Sequence, residues 1–248
     1  MESSGLKLSS VVRLLKSACA SLNLAASHDP RITNREAWRV GLGGLHDSYA
    51  AINRVQPDII VRRIIVEADG LDPAFGLFVR TAAETGARTV QLARLEIADL
   101  QAKGAEPKLL MPSSRKGRKR QITRRPVPIS PDLAARLKQA AGRRRPDQPL
   151  LLRADGNRWD SPGKRRFVQE PFAAVAARVG IDETIYCLRH SSIVRALLAG
   201  VPAQLVAANH DTSLAMLAKT YARYISDCGD DVARRALLTA APSPVAAE

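Results

Sequence analysis

The sequence predicts a mainly helical α+β fold with a small antiparallel sheet or β-hairpin. Two observations lead to this prediction. Apolar residues recur at the three- and four-residue spacing of amphipathic helices in several segments. Between them, apolar runs at residues 109–111 and 127–129 flank a strongly basic turn at residues 113–125, which is the pattern of a long hairpin with a cationic tip.

The elements follow from local signals along the chain. Residues 8–26 carry an amphipathic helical pattern, and a turn-rich stretch with Asp29 and Pro30 ends it. A second break at residues 56–58 precedes an apolar run at 59–66. Asp72 followed by Pro73 then predicts a helix start, because aspartate caps helices and proline suits their first turn.

Gly86 is expected to end that helix, and a further helix is predicted over about residues 89–100, with Leu92 and Leu95 facing inward. After the hairpin, Pro131 opens a helix through residue 137, and residues 150–152 suggest a short strand. From residue 165 onward the pattern is helical, interrupted by short breaks.

The composition points to a polyanionic partner. Lys and Arg number 38 against 24 Asp and Glu, which gives a formal net charge of +14, so nucleic acid is the first candidate. We find neither an apolar stretch of the roughly 18 residues that a membrane helix needs nor a signal-peptide pattern, so a cytoplasmic location without membrane contact is expected. The cysteines, Cys19, Cys187 and Cys228, are expected to be reduced, the first two buried.

Cutting a DNA phosphodiester with a protein nucleophile requires fixed cations on the non-bridging oxygens and a proton donor for the leaving oxygen. The sequence holds suitable residue types in order. Arg88 ends a Thr-Gly-Ala-Arg turn, Tyr186 and Arg189 form an aromatic-x-x-arginine motif, and His210 precedes Tyr221 by eleven residues. Each residue alone has an ordinary structural explanation, but their order does not.

This order resembles the catalytic domain of the tyrosine recombinases of phage-integrase type, over about residues 59–235, and is most similar to integrases of bacterial mobile elements. The resemblance implies that Arg88 and Arg189 clamp the scissile phosphate and that His210 hydrogen-bonds a non-bridging oxygen. It implies that Tyr221 attacks phosphorus, forming a 3′-phosphotyrosine and releasing a 5′-hydroxyl. It also implies catalysis without a metal or another cofactor.

Some assignments within the resemblance stay open. The family's proton donor is a lysine on a β-hairpin turn, which matches Lys116 first and Lys119 second. Tyr224 competes with Tyr221 for the role of nucleophile, and the approach at residues 216–221 favours Tyr221. The residues expected to contact DNA phosphates are basic and cluster mainly in the hairpin: Arg115, Arg118, Lys119, Arg124, Arg125 and Lys164.

Two positions depart from the family pattern. Tyr186 stands where histidine is usual, and a phenol with an ordinary pKa of about 10 is a poor base at neutral pH. We therefore expect Tyr186 to support Arg189 or Tyr221 by hydrogen bonding. Gln91 stands where an acidic residue is frequent, and we expect it to orient Arg88 without charge pairing.

The predicted domain organisation has three parts: a remnant or truncated helical core-binding segment with its linker at 1–56, the catalytic domain at 57–239 and a tail at 240–248. Double-stranded DNA is the expected partner. We expect it to be held weakly, because a truncated core-binding segment makes fewer phosphate contacts than a full one and so releases fewer counterions. The family implies a monomer in solution and a tetramer on DNA, with residues 233–238 packing on a neighbouring subunit and an accessory DNA-bending protein as a further possible partner.

Three other functions compete with a recombinase. A degenerate integrase would bind DNA without cutting it, and the departures at Tyr186 and Gln91 favour this alternative. A type IB topoisomerase shares the chemistry but relaxes supercoils without a specific site. A helix-turn-helix regulator leaves the spaced arginines and the tyrosine unexplained.

Overall fold

Helices dominate the fold, and the computed structural model describes residues 8–42, 55–102, 104, 106–114, 122–160, 167–235 and 237. The chain divides into two compact units, Met1–Ile52 and Asn53–Glu248. Within the described ranges, no helix combines the length and the apolar character needed to cross a membrane. The predicted tail at 240–248 lies outside these ranges.

The first unit contains helix α1 (Leu8–His28) and helix α2 (Arg35–Gly41). The helix predicted over residues 8–26 is therefore confirmed. The indole Nε1 of Trp38 donates to Asn23 Oδ1 at 3.1 Å, and a guanidinium nitrogen of Arg35 donates to the carbonyl of Ala26 at 2.6 Å. Cys19 is only half-buried, so its predicted burial is wrong, because α1 buries few of its side chains.

The second unit is a helical assembly with one small sheet. Its elements, in chain order, are α3 (Asp58–Leu71), α4 (Pro73–Thr85), α5 (Thr89–Leu92), a 3₁₀ turn (Ile97–Asp99), β1 (Leu100–Gln101), β2 (Lys108–Pro112), β3 (Arg124–Pro128), α6 (Pro131–Ala141), α7 (Gln169–Val179), α8 (Tyr186–Leu198), α9 (Ala203–Asn209) and α10 (Leu214–Arg235). The prediction of a mainly helical α+β fold is confirmed.

The main core of this unit lies where α3, α4, α7 and α8 bury their apolar faces. Phe75 and Phe78 on α4 are fully buried, and the centre of the Phe78 ring lies 4.8 Å from the centre of the Trp159 ring. Cys187 on α8 is buried in the same core, as predicted, and burial raises the pKa of its thiol to about 12. These contacts hold α8, which carries several of the candidate site residues.

Capping residues define the ends of two helices as the sequence predicts. The Asp72 carboxylate accepts a hydrogen bond from the amide of Ala74 at 2.8 Å, and Pro73 occupies the first turn of α4. Gly86 ends α4 in the left-handed region, with φ of 61°. At the start of α6, the hydroxyl of Ser130 accepts a hydrogen bond from the amide of Leu133 at 3.2 Å. Helix α6 continues beyond the predicted residue 137 to Ala141.

The sheet is antiparallel in the order β1-β2-β3. Leu109 pairs with Val127, and both side chains are buried, so the arms of the predicted hairpin are confirmed. The sequence did not reveal β1, which pairs Leu100 with Leu109. Residues 115–121 at the tip of the hairpin lie outside the described residues.

The predicted helix over residues 89–100 is wrong. Helix α5 ends at Leu92, because the following backbone forms hydrogen bonds with a distant segment. The amide of Leu150 donates to the carbonyl of Leu95 at 2.8 Å, and the amide of Ile97 donates to the backbone carbonyl of Gln148 at 2.9 Å. Tertiary pairing here outweighs helix propensity.

Residues 150–152 were predicted to form a short strand. The structure instead shows isolated bridges on either side, Glu96 with Pro149 and Leu152 with Arg158. Leu150 and Leu151 are buried, which explains the apolar run without a strand.

An ion-pair cluster fastens the turn before β1 to β3. The carboxylate of Asp99 is 2% exposed, and it lies 2.5 Å from Arg124 Nε, while Arg124 Nη2 lies 2.9 Å from Glu96 Oε2. The hydrogen bond to Asp99 raises the pKa of Arg124. A buried carboxylate without a partner is costly, so Asp99 depends on Arg124.

We predict that Arg124→Met destabilises the protein by roughly 2–3 kcal/mol, because it leaves the buried Asp99 carboxylate unpaired. Arg136→Met is the control. Its ion pair with Asp132 spans one exposed helical turn, so the expected loss is less than about 0.5 kcal/mol. Urea unfolding of both variants measures the difference, and equal losses would contradict this account of the cluster.

Candidate active site

The turn after α4 presents Arg88 to the site. Its backbone amide donates to Gln91 Oε1 at 3.0 Å, and Gln91 Nε2 donates to the carbonyl of Pro112 at 2.7 Å. Gln91 is buried, so this bridge fixes the turn to the end of β2. The Gln91 side chain thus holds Arg88 by its backbone amide.

The guanidinium of Arg88 lies between the hairpin and the turn after α9. Its Nη1 donates to Ser114 Oγ at 2.9 Å and to the carbonyl of Asp211 at 3.1 Å, and it lies 3.2 Å from Asp211 Oδ2. The same carboxylate oxygen accepts from the amide of Ser114 at 2.9 Å. Asp211 has φ of 48°, an uncommon value for a residue other than glycine. The Asp211 carboxylate is therefore the anionic partner of Arg88.

Arg189 is a buried cation at the centre of the unit, on α8. It is 3% exposed, and its Nη1 donates to the carbonyl of Gly86 at 2.8 Å while Nη2 donates to the carbonyl of His210. Burial, aided by the nearby charge of Arg88, lowers the pKa of Arg189. Arg189 therefore joins the end of α4 to the end of α9.

His210 is 5% exposed, and both of its ring nitrogens have partners. Nδ1 lies 2.9 Å from the carbonyl of Val206, and Nε2 lies 3.1 Å from Ser192 Oγ. Burial lowers the pKa of His210 to about 4. Because a carbonyl oxygen only accepts, the proton lies on Nδ1, and Nε2 of the neutral ring accepts from Ser192. A second proton is then needed before Nε2 can donate to an anion, and a nearby anion favours that proton.

Tyr221 lies at a break in α10, where its φ of −126° and ψ of 19° depart from helical values. It is 4% exposed, and its Oη lies 2.6 Å from Nδ1 of His190. Burial raises the pKa of Tyr221, and Tyr186 acts in the same direction, whereas the charges of Arg189 and Arg88 oppose the rise. Tyr221 therefore lies within the electrostatic reach of both arginines.

Two neighbouring tyrosines differ from Tyr221. Tyr224 is half-buried and packs against the cluster of apolar residues around Val206. Tyr186 is 44% exposed, its ring centre lies 6.0 Å from the guanidinium carbon of Arg189, and it meets the His190 ring edge-on at 5.0 Å. Tyr186 also forms a side-chain hydrogen bond with Arg189, as the sequence predicts for its support of that residue.

The structure brings five of the predicted residues together around the ends of α4, α8, α9 and α10: Arg88, Tyr186, Arg189, His210 and Tyr221. Of the predicted phosphate contacts, Arg124 pairs with the acidic cluster at β1, and Arg125 Nη1 donates to the carbonyl of Ala208 at 3.3 Å. The other predicted lysines and arginines lie outside the described residues: Arg115, Lys116, Arg118, Lys119 and Lys164.

Sequence reasoning missed His190, Asp211, Ser192 and Ser114. His190 directly follows Arg189 and stands four residues after Tyr186, so a helical projection places it on the Tyr186 face of α8. That spacing was the available signal. Asp211 and Ser114 gave no such signal, because turns that the sequence does not specify place them on Arg88.

Gly86 is required at its position by space as well as by backbone conformation. A Cβ at this residue would lie 2.5 Å from His210 Cδ2 and 2.9 Å from Ser192 Oγ. We predict that Gly86→Ala destabilises the protein by roughly 1–3 kcal/mol more than Gly180→Ala, because overpacking adds to the shared cost of a left-handed alanine.

Gly180 is the matched control, since it also ends a helix in the left-handed region and a Cβ there meets no atom within 4 Å. Chemical unfolding measures both variants. Equal destabilisation would show that the His210 ring is not held against Gly86.

The buried His210 makes stability depend on pH. The unfolded chain binds a proton near pH 6.5 and the folded chain only near pH 4, so folding is penalised by up to about 3 kcal/mol as pH falls through this interval. Relative to His210→Gln, the wild type is expected to lose about this much unfolding free energy between pH 7 and pH 4. Urea titrations at each pH measure it, and parallel pH profiles of the two proteins would refute the prediction.

Solved structures that share this architecture include the three described below, whereas no family model and no curated protein matches the sequence. The Tn1549 transposon integrase, in complex with transposon right-end DNA, is 14% identical with a TM-score of 0.68, over 94% of this chain and 80% of that one. XerA recombinase is 17% identical with a TM-score of 0.54, over 75% of this chain and only 64% of that one. The catalytic domain of bacteriophage HP1 integrase is 16% identical with a TM-score of 0.51, over 73% of this chain and 93% of that one. The second unit of this chain thus has the fold of a tyrosine recombinase catalytic domain.

Proposed function

We propose that this chain is a site-specific DNA recombinase that cuts and rejoins strands through a 3′-phosphotyrosine at Tyr221. One observation carries the proposal. The buried Tyr221 hydroxyl lies within the charge field of Arg88 and Arg189, and hydrogen bonds link both arginines to the segment that carries His210. The fold, the net charge of +14 and the order of these residues support the same function.

The two arginines are proposed to stabilise the phosphate as negative charge develops on its non-bridging oxygens. Arg189 is already held by two carbonyl groups, so its orientation does not depend on the substrate. Arg88 pairs with the Asp211 carboxylate, for which an incoming phosphate competes. His210 is proposed to gain a proton near the phosphate and to donate from Nε2.

The proposed reaction needs no external energy source. Tyr221 Oη forms a bond to phosphorus as the bond to the 5′-oxygen breaks, and the leaving oxygen takes a proton from Lys116 or Lys119. The phosphotyrosine retains the energy of the original phosphodiester, so a 5′-hydroxyl reverses the reaction on the same or another strand.

We propose double-stranded DNA as the partner, with phosphate contacts from the basic hairpin and from Lys164. Recombination joins two duplexes, so the proposed active form is a tetramer on DNA that assembles from monomers, with an accessory DNA-bending protein as a possible further component. A cytoplasmic location follows from this function. The segment before residue 57 is proposed to be part of a core-binding element, and residues 57–239 the catalytic domain.

The second candidate function is a degenerate integrase that binds DNA without cutting it. Two observations favour it. Tyr186 occupies the position where the family has a histidine, and the Asp211 carboxylate already pairs with Arg88. Covalent capture of DNA separates the two candidates.

We predict that the wild type forms a denaturation-resistant adduct with a pool of nicked duplexes randomised in sequence around the nick. A nick lets the released strand diffuse away, so the intermediate accumulates. Tyr221→Phe is expected to abolish the adduct, because it removes the attacking oxygen, and to leave DNA binding unchanged in a mobility-shift assay. Denaturing electrophoresis measures the adduct.

Tyr224→Phe is the matched control, since it removes the same group three residues away and is expected to retain the adduct. Salt-sensitive binding of the wild type without any adduct would support the degenerate integrase. An adduct that persists in Tyr221→Phe would exclude Tyr221 as the nucleophile.

A further inference from the structure

We propose that His190 accepts the proton of Tyr221 during strand cleavage and returns it during rejoining. The proposal rests on the proposed cleavage function and assigns a catalytic role to a residue that the family resemblance left without one. The 2.6 Å hydrogen bond between His190 Nδ1 and Tyr221 Oη carries it.

The geometry favours His190 over the other side chains of the site. The His190 ring lies 5.7 Å from the Tyr221 ring and 5.0 Å from the Tyr186 ring, so it stands between the two tyrosines. His210 is a poorer acceptor, because Val206 and Ser192 already engage both of its nitrogens.

The protonation state of His190 suits a proton acceptor. A neutral phenol donates to Nδ1 only when the ring carries its proton on Nε2. Burial, with a smaller contribution from the charge of Arg189, lowers the pKa of His190 below its ordinary value of 6.5. The ring is therefore neutral at pH 7 and able to accept.

Several ionisable groups face this pair. From α8, Tyr186 contacts the His190 ring and Arg189 acts on it by charge, and from α10 the Tyr221 hydroxyl meets it. Arg88 and Tyr224 act on Tyr221 in opposite directions, the arginine favouring the phenolate. Arg189 opposes a charged His190, and both arginines favour a charged Tyr221. A bound phosphate offsets the charge of the arginines, so proton transfer to His190 is expected to coincide with phosphate binding.

The proposed step balances as follows. As Tyr221 Oη bonds to phosphorus, its proton moves to His190 Nδ1 and forms an imidazolium, while the bond from phosphorus to the 5′-oxygen breaks. The leaving oxygen takes a separate proton from the lysine donor proposed above. In rejoining, a 5′-hydroxyl attacks phosphorus and returns its proton to the neutral lysine, and the departing Tyr221 oxygen recovers its proton from the His190 imidazolium.

His190→Asn tests the step. The Asn amide oxygen still accepts a hydrogen bond from Tyr221 but cannot take its proton, so positioning and proton transfer are separated. We predict a fall in the rate of adduct formation of roughly 100-fold or more, with DNA binding unchanged. Gln139→Asn, at an exposed position on α6, is the control and is expected to keep the wild-type rate.

A substrate with sulfur at the bridging 5′ position gives a second readout. A thiolate leaves without being protonated, so a defect in the leaving-group donor disappears on this substrate, whereas a defect in activating Tyr221 persists. His190→Asn is expected to stay slow. The wild-type rate is expected to fall as the pH drops through the pKa of His190, which burial lowers from its ordinary value of 6.5, and the variant is expected to lack this dependence.

The outcomes are distinguishable. A wild-type rate and pH profile in His190→Asn would overturn the role of His190 while the recombinase function stands. Absence of an adduct from the wild type would overturn both proposals. If His190→Asn does not fold, as thermal unfolding would show, recovery of the adduct by added imidazole in His190→Ala supports the proposal, and failure of imidazole to restore any adduct there opposes it.

Discussion

The buried charge of Arg189 is the constraint on which the site depends. A guanidinium that is removed from water must have its donors satisfied within the protein, since an unpaired buried charge costs several kcal/mol. The carbonyls of Gly86 and His210 each accept from one of its nitrogens, and Tyr186 forms a side-chain hydrogen bond with the same guanidinium. Because the two carbonyls end different helices, pairing with Arg189 brings α4, α8 and α9 to one point.

The rest of the site follows from this meeting point. Gly86 offers its carbonyl from a left-handed turn, and the space that its missing Cβ leaves is filled by the ring of His210. The turn carries the chain on to Arg88, and the residue after His210 supplies the carboxylate that pairs with Arg88. The two cations are thus fixed on adjoining residues of one turn, Arg189 on His210 and Arg88 on Asp211, and fixed cations are what the recognition of an oxyanion requires.

Burial also sets the protonation states. It raises the pKa of Tyr221 and lowers the pKa of His190 and His210, so these groups are neutral in the free protein while the arginines keep their charge. A phosphate placed between the arginines would change this balance, because it neutralises their field and favours protonated histidines. On this account the site is inactive without its substrate and is activated by the substrate's own charge.

The sequence predicted the parts of the fold that local signals specify. Asp72 with Pro73, Pro131, and the apolar runs at residues 109–111 and 127–129 each specify a local structure, and the structure has the expected elements there. The helix predicted over residues 93–100 is wrong, because their conformation depends on pairing with residues 148–150 and with β2, which no local pattern reveals.

The same distinction holds for the site. Arg88, Arg189, His210 and Tyr221 could be selected because their order along the chain resembles a family motif. The contact of His190 with Tyr221 could not, since it depends on the break in α10 at Tyr221 itself. Asp211 likewise owes its place to a turn with positive φ that its sequence does not require.

The central claim is that Tyr221 becomes covalently linked to DNA, and peptide mass spectrometry of the trapped adduct tests it most directly. Trypsin cleaves after Lys219, Arg223 and Arg234, so it places the two competing tyrosines in separate peptides, 220–223 and 224–234. After nuclease digestion of the DNA, the account predicts a residual nucleotide on peptide 220–223. A nucleotide on peptide 224–234, or on any other peptide, would contradict it.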